Sequence, residues 1–398
     1  MIKLGNILLD ATVTLSVLMI FATSCSSDVE PTVPDNGKTV LVYMAGRNDL
    51  TSFVSQDLRE MKDGSCRITD DDCLLVFVRN YDVMPWIARI KGGEVTDSVS
   101  LKDIGITNSD GSYRASDPAV MEGVLRYAFS HYPSREEYYG LVLWGHSSGW
   151  ILEREMENPG SRGYGRDDQI WINMPTMAAI LKKLPHLKFI LADCCNFMCL
   201  ENLYELRQSC DYIIGSPAEI SSVGAPYDLI VPDLFNHDSS YKILIDKIFQ
   251  NTDEAPPMVV ARMSGMDDLA KKTRLVLKEL NDSQSWGTID LTGLIHYGYR
   301  SPIGNIFFDA GDFIRTYTTD ELYRQWCEEL DKVIIRKHLS SKWKTSLPWD
   351  IYYADILVTS EKMHGLSMFL PNSSQAGSQK YFLDLHEFEW YSDVWKNE

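Results

Sequence analysis

Short apolar runs alternate with amphipathic ones along the first half of the chain. Residues 39–45 (TVLVYMA), 73–79 (CLLVFVR), 139–144 (YGLVLW) and 187–192 (LKFILA) are apolar across successive positions and bounded by polar ones. Such runs predict strands buried on both faces, and 212–215 (YIIG) adds a shorter fifth. Between the runs the period changes. Leu50, Phe53, Val54, Leu58 and Met61 recur at helical spacing across 49–61. Ser116-Asp117-Pro118 is a helix start signal, followed by Val120, Met121, Val124, Leu125 and Phe129. Residues 175–184 and 200–207 predict two more helices. Strands alternating with helices give an α/β fold whose mainly parallel sheet is covered on both faces. Residues 86–99, centred on Gly92-Gly93, read as a hairpin added to one edge.

Beyond Pro226 the alternation weakens. Residues 241–249, 266–280 and 321–338 read as helices, and 363–371 (MHGLSMFLP) as a late strand. This half carries no separate chemistry. The expected division is a core over 38–230 and an extension, 231–398, packed on it, with a soft boundary near 225–255.

The first residues are an address. Residues 7–23 are apolar or small except for Asp10, follow Lys3, and end in Ala22-Thr23-Ser24-Cys25. That stretch is short, with a basic start and a small-residue exit, which predicts a secretory signal over 1–24. Cysteine at the exit makes it resemble a bacterial lipoprotein signal, which implies lipidation of Cys25 and an anchored location at the outer membrane or cell surface. The alternative is a plain secreted protein with Cys25 merely nearby. Residues 25–37, with Pro31 and Pro34, then read as a flexible tether.

Composition narrows the function. The 398 residues are 44% apolar and 24% charged, which is globular composition. Lys and Arg total 38 against 56 Asp and Glu, a net charge of −18 that argues against nucleic acid as a partner. Eight cysteines in so long a chain are no disulfide scaffold, and their spacing does not suggest structural zinc. Cys66 and Cys73, seven residues apart across Asp70 to Asp72, could form a bridge outside the cytoplasm, although nothing in the sequence fixes their geometry.

Two strand ends carry reactive residues, Gly145-His146-Ser147-Ser148-Gly149 after the third run and Asp193-Cys194-Cys195-Asn196 after the fourth. Ligands of parallel sheets bind beyond the carboxyl ends of strands, where both segments fall. The first fits G-x-S-x-G, the nucleophile elbow of a serine esterase using Ser147. That motif needs a helix directly behind it, and residues 151–163 instead read as a charged loop broken by Pro159-Gly160. The competing arrangement uses His146 as general base and a cysteine from the second segment as nucleophile. Cys195 follows His146 by 49 residues, close to the ~50 of caspase-type enzymes. Alternation along an extended segment places Asp193 and Cys195 on one side and Cys194 on the other. Cys195 is therefore the candidate nucleophile, and Asp193 a carboxylate on the pocket floor that would select Arg or Lys. A helix cap near Asn196 is the alternative role for Asp193.

Three segments, 39–50 (TVLVYMAGRNDL), 140–150 (GLVLWGHSSGW) and 193–206 (DCCNFMCLENLYEL), resemble the clostripain family of cysteine peptidases. The resemblance is strong over about residues 38–230; later, 308–313 and 365–370 also look like recurrent family segments. It implies a caspase-like α/β/α sandwich with C-terminal elaborations and cleavage after basic residues. The family's Asp-Ala-Cys motif, followed six residues later by Glu, falls on Asp193-Cys194-Cys195 and Glu201. It assigns His146 and Cys195 as a catalytic dyad, with no third member evident, and Asp193 as the specificity residue. Ser147 stands where the family commonly has Gly; its backbone N–H, with that of Cys195, is the implied oxyanion hole. After Ile214 there is one Glu where relatives often show an acidic pair. Family members often mature by cutting the loop between the His and Cys strands, which makes Arg162 and Arg166 candidate sites and Arg154 a lesser one; an intact flexible loop is the alternative.

The expected activity is thus a lipid-anchored endopeptidase acting on peptides or proteins with basic residues, touching the membrane through its anchor alone. A serine esterase using Ser147 and a catalytically silent clostripain-like surface binding protein are the alternatives. No cofactor or metal is expected. Calcium stays open because clostripain is associated with it, although neither Asp70 to Asp72 nor Asp167-Asp168 has EF-hand spacing. The other histidines stand alone, without metal-ligand spacing.

Overall fold

In the computed structural model the described residues are 36–152, 163–237, 240–283, 289–297, 306–340, 342–344, 351–353, 362–371 and 383–396. Cys25, the signal, Arg154 and Arg162 lie outside them. Along the chain run β1 (Thr39–Ala45), α1 (Thr51–Ser65), β2 (Cys73–Arg79), β3 (Trp86–Lys91), β4 (Glu94–Ser100), α2 (Pro118–His131) and β5 (Tyr139–Trp144). Next come β6 (Tyr164–Asp167), β7 (Ile170–Ile172), α3 (Met174–Leu181), β8 (Leu187–Asp193), α4 (Leu200–Leu206), β9 (Cys210–Gly215) and α5 (Tyr227–Ile230). The later half supplies α6 (Ser240–Asn251), β10 (Met258–Arg262), α7 (Met266–Ser283), β11 (Phe308–Asp309), α8 (Ala310–Tyr317), α9 (Asp320–Val333) and β12 (Ile334–His338).

Nine strands form one sheet in the order β12-β10-β9-β8-β5-β1-β2-β3-β4. Its centre, β9-β8-β5-β1-β2, is parallel, and antiparallel strands close both edges. The central runs are apolar throughout because both sheet faces are covered. Leu41, Tyr43, Leu141 and Leu143 point into one core with α2 and α3. Val40, Val42, Val142 and Trp144 point into the other, against α1 and α5. Gly92 and Gly93, both at positive φ, turn the β3–β4 hairpin at the edge the sequence predicts.

Three features of the later half differ from expectation. The helix expected over 321–338 stops at Val333, and Ile334–His338 becomes β12, antiparallel to β10. Half-exposed Ile334 and Ile335 beside exposed Arg336 and Lys337 suit an edge strand, and pairing with β10 overrides the local helical pattern. Strand β10 itself was not expected, and through it and β12 the later half extends the same sheet. The late strand is reduced to Ser367–Met368, paired with β11. Cys66 is exposed and Cys73 buried, both as free thiols, so no bridge joins them.

Buried Asp309 fastens this half together. It takes the His364 amide at 2.7 Å, the Tyr297 hydroxyl at 2.6 Å and the His364 ring at 2.9 Å. Burial opposes a charge on His364, but the hydrogen bonds to Asp309 and Cys327 and the charge of Asp309 together outweigh it and lift the imidazole to about 9. His364 is therefore a satisfied structural histidine rather than a ligand.

Candidate active site

The sheet changes winding direction at β1, whose neighbours β2 and β5 lie on opposite sides, and the chain crossing from one side to the other leaves a crevice at the carboxyl ends of the strands. His146 follows β5, and Cys195 follows β8 next to it. Both line one cleft with Leu50, Trp144, Asp193, Ile220 and Gly224. Asp193 ends β8 in register with Trp144 of β5, so the carboxylate and the indole stand side by side on one sheet face. Cys194 is buried in the opposite core, as alternation requires. Asn196, at φ 54°, makes the turn immediately after the thiol.

The Cys195 thiol sits against the loop after β9, with the Ile220 amide 3.5 Å from Sγ. Burial, then the charge of Glu219, push it up to about 12, so in this arrangement it holds its proton. His146 Nε2 lies 3.0 Å from Asp49 Oδ1. The sequence offered no third member behind the histidine, and the structure places Asp49 there, just beyond β1. The hydrogen bond to His146 holds Asp49 well below the usual carboxylate range. Arg166 Nη2 approaches the same oxygen at 2.6 Å. Asp49 belongs to the 39–50 segment that resembles the family, but its partner is 97 residues away and no local spacing reveals the pair.

Ser147 is 7% exposed and its Oγ accepts from the Gly149 amide at 3.1 Å. Among the described residues no helix begins directly behind it: 149–152 make a turn and a buried segment, and the next described element is β6. The described residues behind Ser147 thus supply no packing helix for an elbow, and His146 is turned towards Asp49. Ser147 keeps a negative φ, so serine in place of glycine costs no backbone strain.

Asp193 is 7% exposed. Its Oδ2 accepts the Tyr227 hydroxyl at 2.7 Å and the Ala225 amide at 3.2 Å. It caps no helix near Asn196; the loop 220–226 and α5 hold it instead. Burial raises its ionisation range, and the Tyr227 and Ala225 bonds work against that rise. Gly224, at φ +70°, lets the loop pass over this carboxylate, since a Cβ there would stand 3.0 Å from Oδ2. Glu201 is buried on α4 and accepts the Phe369 amide at 2.8 Å, so it ties the later half to the site's helix.

Arg166 stands inside β6, its carbonyl accepting from Asn48 Nδ2 at 2.8 Å. Asp167 is fully buried between Arg47 at 3.2 Å and Arg79 at 2.8 Å, and Asp168 also pairs with Arg47. Asp70 and Asp71 face Lys91 and Arg135, and the Thr69 hydroxyl reaches Asp72. Among the described residues no three side chains group as metal ligands.

A mainly parallel sheet with a histidine and a cysteine at adjacent strand ends defines a caspase-like cysteine peptidase. The clostripain family model matches residues 42–398, and the chain belongs to that family. It is similar to an inactive zymogen C11 protease from Parabacteroides distasonis, with 25% identity over 92% of this chain and 100% of that one, and a TM-score of 0.76. It is similar too to a secreted C11 cysteine protease from Bacteroides thetaiotaomicron in complex with an irreversible peptide inhibitor. There the identity is 26% over 90% and 99% of the two chains, with a TM-score of 0.73. No curated protein matches the chain.

Proposed function

We propose that this cysteine peptidase is an endopeptidase cutting after Arg or Lys, held at the cell envelope by a lipid on Cys25. The observation that carries the specificity is the shared cleft: His146, Cys195 and buried Asp193 line one cavity at the ends of β5 and β8. With Nε2 of His146 engaged by Asp49, Nδ1 takes the thiol proton as Cys195 Sγ bonds to the scissile carbonyl carbon. The carbonyl oxygen gathers charge between the amides of Ser147 and Cys195. Collapse breaks the C–N bond, and His146 returns the proton to the leaving amine. Water, deprotonated by His146, then hydrolyses the thioester and frees Cys195. The complex of the B. thetaiotaomicron relative with an irreversible peptide inhibitor supports a peptide as the substrate of this chain.

Asp49 orients His146 in this scheme. Asp49→Asn is expected to lower kcat about tenfold at nearly unchanged KM, a modest loss because the carboxylate is largely exposed and screened. Steady-state kinetics on an Arg substrate measures it; an unchanged kcat removes Asp49 from the machinery.

Mass spectrometry tests the specificity and the anchor together. Peptides released from a denatured protein should end in Arg or Lys, and protein extracted from envelopes should begin at an acylated Cys25. Termini at neutral residues with equal frequency would refute the preference, and an unmodified mature terminus would refute the anchor. For self-cutting, Arg162 is the better candidate, because cleavage after Arg166 would require β6 to open first.

A further inference from the structure

The specificity cleft has a wall as well as a floor, and the wall is pinned from behind. Asp57 on α1 is completely buried. Its Oδ2 accepts the Trp144 indole N–H at 2.5 Å, while Oδ1 has no hydrogen-bond partner among the described residues. Trp144 in turn lines the cleft beside His146, Cys195 and Asp193. One turn along α1, Glu60 Oε2 receives the Tyr227 amide at 3.2 Å, and the Tyr227 hydroxyl donates to Asp193. Three carboxylates therefore surround Trp144 and Tyr227, and these donors to them are neutral. A buried carboxylate oxygen without a partner is expensive to keep unless something offsets it. A proton on the Asp57 carboxyl offsets it while the cleft is empty, and a cation seated on Asp193 would do so for the ionised form.

We infer that Asp57 is a positioning and specificity-determining residue of the basic pocket, fixing Trp144 as its wall and placing a second carboxylate behind that of Asp193. This rests on the reading of Asp193 as the floor of a pocket for Arg or Lys. The groups facing Asp57 are Trp144 from β5, Asp193 from β8, Tyr227 from α5 and Glu60 from its own helix. Burial first, then the charge of Asp193, raise Asp57 to about 8, so near neutral pH it holds its proton. A guanidinium seated on Asp193 cancels that repulsion and favours the ionised form of Asp57. Binding a cationic side chain then releases the proton from the Asp57 carboxyl to solvent. By linkage, affinity for the cation rises with pH through the neutral range and levels off once free Asp57 is ionised.

The full-length chain carrying Cys195→Ala, which binds without turnover, is titrated calorimetrically with an Arg-containing peptide and with its citrulline counterpart. Paired buffers of different ionisation enthalpy count the protons. The Arg peptide is expected to release up to about one proton near pH 7 and to bind about tenfold tighter near pH 9, whereas the citrulline peptide does neither. Adding Asp57→Asn keeps an acceptor for Trp144 and removes the titrating proton, so release disappears and affinity becomes flat with pH. No proton release in the Cys195→Ala parent overturns the inference without recourse to the second variant, and so does equal release in both proteins. An Arg peptide binding no tighter than citrulline would instead show that the basic pocket itself is misassigned, which takes the inference with it.

Discussion

Cys195→Ala is expected to bring peptide hydrolysis down by about 10⁴-fold or more, to a background supplied by binding and the oxyanion donors alone. No neighbour can take over. Cys194 points into the opposite core, buried with Leu143 and Ala192, and Cys199 is likewise fully enclosed there. Burial drives both thiols far above the range in which a thiolate forms. Cys195 also has a raised ionisation range, so its reactivity depends on a base accepting its proton during attack rather than on a standing thiolate. Ser147→Ala should behave quite differently. It keeps the backbone N–H and loses an acceptor for the Gly149 amide and a hydrogen bond to the buried Cys194 thiol, neither in the cleft, so Arg-substrate turnover should stay within a few-fold. Assaying both variants on Arg-amide and simple ester substrates separates the thiol and serine assignments. Full Arg-substrate turnover by the Cys195→Ala protein would rule out the former.

Asp193→Asn should lower kcat/KM for Arg and Lys substrates by about 10²- to 10³-fold while changing neutral substrates little. A guanidinium entering the cleft loses water that only a charge-assisted partner replaces, and such bonds contribute about 1.5–3 kcal/mol each. Asparagine can still accept from Tyr227 and Ala225, so the pocket's shape survives while its charge does not. The native pocket has a pH signature of its own. Burial raises Asp193, so the carboxylate becomes neutral on acidification sooner than an exposed aspartate would. Preference for Arg over a neutral residue should therefore fade as pH falls through that raised range, and hold above it. The ratio of kcat/KM values for paired Arg and citrulline substrates measures both effects. An unchanged ratio in the variant would exclude Asp193 as the selecting group.

The strand ends of the site were legible because each depends on neighbours in sequence. Four apolar runs are strands at the expected places, and two-residue alternation put Asp193 and Cys195 on one side and Cys194 on the other. His146 was likewise legible from its place at the end of the third apolar run, and the family resemblance pointed to the same residue. Beyond Pro226 legibility fell, because strand character there came from pairing. Residues 334–338 carry an amphipathic pattern that suits a helix, and only contact with β10 makes them a strand.

By itself, the sequence determined which segments are buried, which strand ends carry a thiol and an imidazole, and which face of β8 the nucleophile occupies. All of these follow from backbone periodicity over a few residues. Only the tertiary structure decided who partners whom. Asp49 meets His146 across 97 residues, Trp144 meets Asp57 across 87, and Tyr227 meets Asp193 across 34. Those pairings arise where the crossovers lay α1 and α5 against the strand ends. A buried polar atom takes whichever partner the packed layers bring within reach, and spacing along the chain does not encode that distance.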